Sequence, residues 1–157
     1  MKINIIAVGH KPPRWAADGC QEYLKRFQRE LTISVTEIKP AFRVGHADKN
    51  HLARKTEKDK IFLKVNKNAY LIVLDERGAQ ATTNELAELM STWMNEGKDV
   101  DFVIGGADGL DPEIKDQAFK MISLSAMTYP HALARLILIE QLYRAQCIIR
   151  NHPYHRD

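Results

Sequence analysis

The chain has 157 residues, of which 45% are hydrophobic and 27% charged, and its net charge is +3. That length is enough to bury a core, and the composition is typical of globular proteins. Apolar runs such as LILI at 136–139 are far shorter than the roughly 20 residues of a membrane span, and the first residues do not resemble a secretory leader. We therefore predict one cytoplasmic domain over residues 1–157, without a membrane segment.

The first half of the chain predicts two strands and two helices. Residues 3–9 form an apolar run that ends in glycine, typical of a buried strand, and residues 15–29 predict a helix. Residues 31–38 alternate and are rich in β-branched residues, which indicates a strand. After a loop, Asp48 is the predicted cap of a basic helix that runs to about residue 65.

The second half predicts three more strands, each followed by a helix. Residues 69–78 are typical of a buried strand that runs into a charged turn closed by Gly78. Thr83 can cap the next helix, which Gly97 ends. The remaining predicted elements are a strand running into glycines over 100–110, a short helix that starts at Asp111 and Pro112, a strand and loop over 121–130, and a helix from 131 to about 150.

Strands that alternate with helices predict an α/β fold, with a mostly parallel sheet and helices on both faces. Ligands of such sheets bind beyond the carboxyl ends of the strands, where loops 74–78, 104–109 and 124–131 are expected. Gly105 and Gly106 would let a ligand approach the backbone, although a tight turn explains them equally well. Neither a GxGxxG nor a Walker motif is present, which disfavours a classical dinucleotide or triphosphate site.

The third of these loops has hydroxyl and apolar side chains and lacks acids and lysines. That composition suits an uncharged flat group such as an adenine, and a capping turn before the last helix is the alternative.

Cys20 and Cys147 lack CxxC or Cys/His spacing, so we predict two buried thiols. Residues 39–60 contain seven basic and three acidic residues, a net charge of +4, as in a polyanion-binding surface or a solvated helix face.

The last helix is apolar on almost every side, which predicts burial against a partner subunit, most simply in a homodimer. Its polar exceptions are Arg135, Glu140 and Arg144. Glu140 and Arg144 have the spacing of a structural ion pair. The alternative is that one of the two arginines binds a substrate phosphate.

The C-terminal tail, residues 150–157, has the sequence RNHPYHRD. So many functional groups at a chain end indicate either a docked segment or a functional arm.

Six stretches together resemble the bacterial ribosomal RNA large subunit methyltransferase H family, small single-domain members of the SPOUT class. They are AVGHKPPRW (7–15), YLKRF (23–27), LDERG (74–78), VIGGADGL (103–110), LSAMTYPHALARLILIEQLYRA (124–145) and NHPYHR (151–156). The resemblance implies methyl transfer from S-adenosylmethionine to N3 of a pseudouridine in 23S rRNA of the assembled ribosome. It also implies a trefoil knot in the C-terminal half of the fold.

The family's cofactor pocket maps onto the three loops identified above. The implied cofactor-binding residues are Leu74, Gly105, Leu124, Ser125, Ala126, Met127, Thr128 and Tyr129, with Gly78 and Gly106 shaping the pocket. Methyl transfer to N3 requires removal of a proton, for which these loops have few suitable groups. We therefore hypothesise that the tail of one subunit closes over the cofactor site of the other.

In that hypothesis His152 or His155 accepts the proton, Tyr154 stacks on or hydrogen-bonds the base, and Arg156 binds a phosphate. Arg135 and Arg144 are the other candidates for substrate binding. A structural plug is the alternative role of the tail. A metal site is disfavoured because His152 and His155 have no third ligand at a useful spacing. A non-catalytic RNA-binding assembly factor with the same fold is the second hypothesis for the whole chain.

Overall fold

A computed structural model describes residues 1–42 and 50–155 of the protein. In those ranges the chain alternates strands with helices. The elements are β1 (Lys2–Val8), α1 (Arg14–Leu24), β2 (Thr32–Ile38), α2 (Asn50–Phe62), β3 (Tyr70–Gln80), α3 (Thr83–Asn95), β4 (Val100–Ile104), α4 (Pro112–Asp116), β5 (Lys120–Ser123) and α5 (His131–Ile149). The cap predicted at Asp48 lies outside the described residues.

The strands are parallel and lie in one sheet in the order β2-β1-β4-β3-β5. β1 is paired on both sides, so that Ile3 lies opposite Ile33 of β2 and Val100 of β4. Parallel pairing brings the carboxyl ends of the strands to one edge, where the loops after β3, β4 and β5 come together. The predicted α/β class is confirmed, and the trefoil knot stays a prediction.

Helices cover both faces of the sheet, and each face has its own apolar core. On one face α1, α3 and α5 pack over β1 and β4, with Trp93 buried against Phe102 at 6.3 Å between ring centroids. On the other face α2 and α4 pack over β1, β3 and β4. Cys20 and Cys147 are buried free thiols, as predicted. Burial on both faces explains why the strands have nearly continuous apolar sequences.

Three predicted helix boundaries differ from the structure. α1 ends at Leu24 instead of residue 29, and residues 25–31 form turns that lead into β2. α2 ends at Phe62, about three residues early. Thr82, and not Thr83, caps α3. Its hydroxyl accepts the N–H of Glu85, and the Glu85 carboxylate accepts the N–H of Thr82, a reciprocal arrangement that Thr83 is one residue too late to form.

Asp101 of β4 is a carboxyl group buried within the sheet. Its Oδ2 accepts a hydrogen bond from the backbone N–H of Asn66 at 2.6 Å. Asn4, which lies opposite on β1, forms a second hydrogen bond with it. Burial raises the pKa of this carboxyl group above its usual range, and the two hydrogen bonds only partly oppose that rise.

We expect the substitution Asp101→Asn to gain stability relative to the wild type as the pH rises from about 4 to 7. Because the carboxyl pKa is higher in the folded than in the unfolded state, the folded wild type binds more protons in this window. Its free energy of unfolding therefore falls as the pH rises through the folded-state pKa. Urea denaturation at several pH values measures this difference. The exposed Asp116→Asn is the control. If Asp101→Asn instead lost stability relative to the wild type as the pH rises, the raised pKa of Asp101 would be contradicted.

Candidate functional site

A cavity of about 540 Å³ lies at the carboxyl edge of the sheet. The residues that line it lie within 74–77, 104–110 and 123–129, with Arg54 of α2, Lys115 of α4, and His131 and Ala134 of α5. The cavity is therefore enclosed by the ends of β3, β4 and β5, and all three loops predicted from the sequence meet there.

The charged segment after Leu74 does not end β3, as the sequence predicts, but interrupts it. Leu74 and Ala79 both pair with Ile122 of β5, so residues 75–78 leave the ladder and the strand then continues to Gln80. Extra residues in one strand produce such an irregularity without ending the pairing. The interruption brings residues 75–77 to the wall of the cavity.

Gly78 makes this interruption possible because the chain passes directly against β5. A Cβ atom at this position would lie 2.6 Å from the carbonyl carbon of Ile122 and 2.8 Å from that of Met121. No side chain fits in that space. The glycine therefore fixes how closely β3 and β5 approach at the point where the cavity begins.

Asp75 is held by an ion pair on the cavity wall. Its Oδ2 lies 2.5 Å from Nζ of Lys115, and its Oδ1 accepts the backbone N–H of Arg77 at 3.0 Å. Burial acts to raise the pKa of the Asp75 carboxyl, but the bonds from Lys115 and Arg77 outweigh it and hold the pKa below its usual value. Asp75 is thus an ionised structural group, poorly suited to accept a proton from a substrate.

The segment after β4 presents backbone to the cavity. The N–H of Gly109 donates to the carbonyl of Gly106 at 3.0 Å and closes a tight turn. A Cβ atom at Gly105 would lie 2.8 Å from Cγ of Leu110, which folds under the turn. With no side chain at Gly105 or Gly106, a ligand can approach the peptide groups closely.

The segment after β5 is held in shape by its own hydroxyl groups. The Ser123 hydroxyl donates to the carbonyl of Ser125 at 2.7 Å, and the Ser125 hydroxyl accepts the N–H of Met127 at 2.9 Å. These hydroxyls therefore order the loop. Leu124 and Met127 give this wall apolar cover without a charged side chain, an environment suited to an uncharged ring.

Eight of the ten predicted cofactor-binding residues line the cavity. They are Leu74, Gly105, Gly106, Leu124, Ser125, Met127, Thr128 and Tyr129. Gly78 acts behind the wall through its contact with β5, and Ala126 is exposed in the loop without lining the cavity. Cofactor binding by these residues stays a prediction.

The two arginines predicted to bind substrate lie outside the cavity wall. Arg135 is buried, and its Nη1 donates to Oε1 of Glu37 at 2.7 Å. Arg144 donates from Nε and Nη2 to Oε1 of Glu140 at 3.0 and 2.6 Å. The structure thus contains the ion pair that was the alternative for Glu140 and Arg144. Phosphate binding by Arg135 or Arg144 stays a prediction that would require exchange of these carboxylate partners.

The tail begins with a sharp reversal at the end of α5. Asn151 has a positive φ of 54°, and its N–H donates to the carbonyl of Ile148 at 3.0 Å. The N–H of His152 donates to the carbonyl of Cys147 at 2.8 Å. These two bonds form a Schellman motif, with asparagine tolerated where glycine is commonest. The reversal turns the tail back along its own helix.

Tyr154 anchors the tail to the helix layer of its own chain. Its hydroxyl lies 3.1 Å from that of Tyr23 and 3.2 Å from Oε1 of Glu140. Its ring packs edge-on against Tyr143 at 4.8 Å, with the Arg144 guanidinium 4.8 Å from its centroid. Burial, together with the bond to Tyr23 and the Glu140 charge, raises the Tyr154 pKa well above its ordinary value, so this phenol is a hydrogen-bond donor at neutral pH.

The other tail residues differ in exposure. His152 is exposed, and its Nδ1 accepts the backbone N–H of Tyr154 at 3.3 Å. His155 is half-buried. Arg156 lies outside the described residues. None of the described tail residues lines the cavity of its own chain. The catalytic roles assigned to His152, Tyr154, His155 and Arg156 therefore stay predictions.

Sequence reasoning missed several residues of the cavity wall, notably Arg54 and Lys115, and gave no role to His131, which lies in the third predicted loop. Arg54 belongs to the basic segment, whose charge left open a polyanion-binding surface or a solvated helix face and did not indicate which side chain faces the cavity. Within residues 1–42 and 50–155, no three or more His, Cys, Asp or Glu side chains are grouped as metal ligands. No helix in the described part of the chain has the length and apolar content needed to span a membrane.

The comparisons with known proteins agree with this geometry. A family model described as "Predicted SPOUT methyltransferase" matches residues 1–155. The chain is 54% identical over 157 residues to ribosomal RNA large subunit methyltransferase H of Thiobacillus denitrificans, with 100% of both chains covered. It is 51% identical over 157 residues to the protein of that name from Dechloromonas aromatica, with 100% of this chain and 99% of the relative covered.

The fold agrees with a solved structure as well. A candidate RNA methyltransferase from Bacillus anthracis is 15% identical and superimposes with a TM-score of 0.55, over 97% of this chain and 96% of that one. The family model and the full-length relatives confirm the resemblance predicted from the six motifs. The chain belongs to the SPOUT methyltransferase family, among the relatives named ribosomal RNA large subunit methyltransferase H.

Proposed function

We propose that this protein transfers the methyl group of S-adenosylmethionine to N3 of a pseudouridine in 23S rRNA of the assembled ribosome. It acts as a single domain, over residues 1–157, in a cytoplasmic homodimer. The observation that carries the proposal is the cavity at the sheet edge, where the three loops that the family uses for its cofactor meet. The relatives named for rRNA methylation support the substrate class.

The chemistry of the cavity wall fits the proposed methyl donor. The wall at 123–129 is uncharged and partly apolar, as an adenine ring requires, and the glycines at 105 and 106 leave room against the backbone. A volume of about 540 Å³ is within the usual range for small-molecule sites. When bound, the cofactor supplies an activated methyl group on a sulfonium centre. The chain's residues then hold the donor and acceptor in line and keep water out.

The acceptor nitrogen carries a proton that a base must accept, and the cavity wall of the same chain offers Glu76, Asp108 and His131 beside Asp75. Asp75 is paired with Lys115, and none of the described tail residues, 150–155, lines the cavity of the same chain. The cavity wall includes the first turn of α5, whereas the tail follows its last turn, about 27 Å away along a helix of 19 residues. These positions favour a tail that serves the cavity of a partner subunit, with His152 or His155 as the base.

An apolar strip on α5 supports the homodimer. Leu133 and Ile137 lie one turn apart, are only half-buried, and belong to neither apolar core of the protomer. Trp15 of α1, the helix that packs beside α5, is 57% exposed. A second copy that covers this strip would bury these side chains around a twofold axis.

Calorimetric titration of S-adenosylmethionine into the purified protein is the first test. We expect saturable binding and then methyl transfer to 70S ribosomes that lack the modification, with mass spectrometry of the rRNA as the readout. A folded protein that binds ribosomes but neither binds the donor nor transfers a methyl group would favour the non-catalytic assembly factor. The glycine-lined cavity favours the enzyme, since a binding factor would not need it.

A further inference from the structure

Arg54 is a cation in the cavity that neither the motifs nor the ion pairs of the fold explain. It lies on α2, is half-buried, and lines the cavity. Its Nε is buried without a hydrogen-bond partner. Burial of a charged donor without an acceptor is costly, so a protein that retains such a group has a reason to do so.

The neighbours of Arg54 on the same helix face are already paired. Asn50 lies one turn earlier and donates to Oδ1 of Asp108 at 3.1 Å. Lys58 lies one turn later, and its Nζ lies 2.6 Å from Oε2 of Glu113. Residues four apart share one face of a helix, so this face of α2 is joined on one side of Arg54 to the segment after β4, through Asp108, and on the other side to α4, through Glu113. Between those two contacts, Arg54 faces the cavity.

The charges on the opposite wall do not neutralise Arg54. Asp75 is paired with Lys115, and no ion pair or hydrogen bond joins the Arg54 guanidinium to a residue within 1–42 or 50–155. A guanidinium presents a planar fork of N–H donors that matches a carboxylate or a phosphate. The structure therefore leaves an anion-binding position open inside the cavity at Arg54.

We propose that Arg54 binds the carboxylate of the methionine part of the methyl donor. This inference rests on the proposed function, because it needs S-adenosylmethionine in the cavity. The donor has one carboxylate, at the end opposite its adenine, and the uncharged wall at 123–129 suits the adenine. A group with a buried Nε is reached by a small molecule within the cavity more readily than by an RNA backbone outside it. Exposed lysines of α2, such as Lys55, are better placed for RNA phosphates.

The test uses two ligands that differ at the proposed contact. S-adenosylhomocysteine has the carboxylate, whereas 5′-methylthioadenosine has the same nucleoside and a thioether without the amino-acid end. We expect Arg54→Met to weaken S-adenosylhomocysteine about 10- to 100-fold in equilibrium titrations and to leave methylthioadenosine within about twofold. Arg54→Lys should lie between, since a lysine keeps the charge without the fork. Unchanged methylthioadenosine binding also shows that the variant has a folded cavity.

Lys55→Met is the matched control, because it removes one exposed positive charge from the adjacent position of the same helix. It should bind both ligands as the wild type does. Equal weakening of both ligands by Arg54→Met, or no weakening of either, would overturn the assignment. If the wild-type protein binds neither ligand, the proposed function itself is wrong, and the role of Arg54 falls with it.

Discussion

A chain that ends at Asn151 should bind S-adenosylmethionine and dimerise nearly as the wild type does, but its methyl transfer to ribosomes should fall by at least about 100-fold. The reason is that His152, Tyr154 and His155 lie outside the cavity of their own chain. In our proposal they complete the partner's cavity together with Arg156. Methyl incorporation into 70S ribosomes measures the loss, and calorimetry and light scattering measure what is retained.

Two controls separate a catalytic tail from a structural one. Removal of Asp157 alone should leave activity unchanged. Tyr154→Phe keeps the ring packed on Tyr143 but removes the hydroxyl contacts with Tyr23 and Glu140. The methyl-transfer activity of this variant therefore measures the contribution of these hydrogen bonds alone. The truncation also loses the backbone bond from His152 to Cys147, which predicts a small drop in melting temperature. Full activity of the truncated chain would refute the composite site.

The substitution Gly78→Ala should destabilise the protein by about 2–4 kcal/mol and weaken cofactor binding at least tenfold. The added Cβ would lie 2.6 to 2.8 Å from main-chain atoms of Ile122 and Met121, a distance that only a backbone shift can relieve. Such a shift moves β5 and therefore the loop at 124–129 that follows it. Urea denaturation measures the first effect and titration with S-adenosylmethionine the second.

Gly9→Ala is the matched control, because nothing lies within 4 Å of a Cβ atom at that position. It should change the free energy of unfolding by less than about 1 kcal/mol. A Gly78→Ala protein with wild-type stability and affinity would show that β3 and β5 can separate without disturbing the site.

Much of the fold could be predicted because its signals are local. Apolar runs ending in glycine or charge mark β1, β3 and β4, and a Pro and Asp pair marks the start of α4. The continuation of β3 past residue 75 could not be predicted, because Asp, Glu, Arg and Gly have the composition of a turn. The pairing of Ala79 with Ile122 that extends the strand is a long-range contact.

The candidate site likewise combines features that could be predicted from the sequence with features that could not. The glycine-containing loops could be predicted because ligand sites of parallel sheets have a known position. The docking of Tyr154 on Tyr23 could not, because it joins residues that are 131 positions apart. Arg54 was also out of reach, since a run of positive charge does not tell which side chain faces inward. The role that we propose for Arg54 rests on a long-range arrangement, in which Asn50 and Lys58 have partners on neighbouring segments and Arg54 has none among the described residues.

The strand order also affects how the protein is made. β1 can pair with β2 once both are synthesised, but its other neighbour, β4, follows 62 residues after the end of β2. At about 5–20 residues per second, roughly 3 to 12 seconds pass before Val100 is synthesised and can begin to cover that edge. During that time a buried strand of isoleucine and valine presents unpaired peptide groups, the kind of edge on which chains aggregate. We therefore expect the nascent chain to depend on protection of β1 until β4 arrives, and the cavity at the carboxyl edge of the sheet to be among the last features to form.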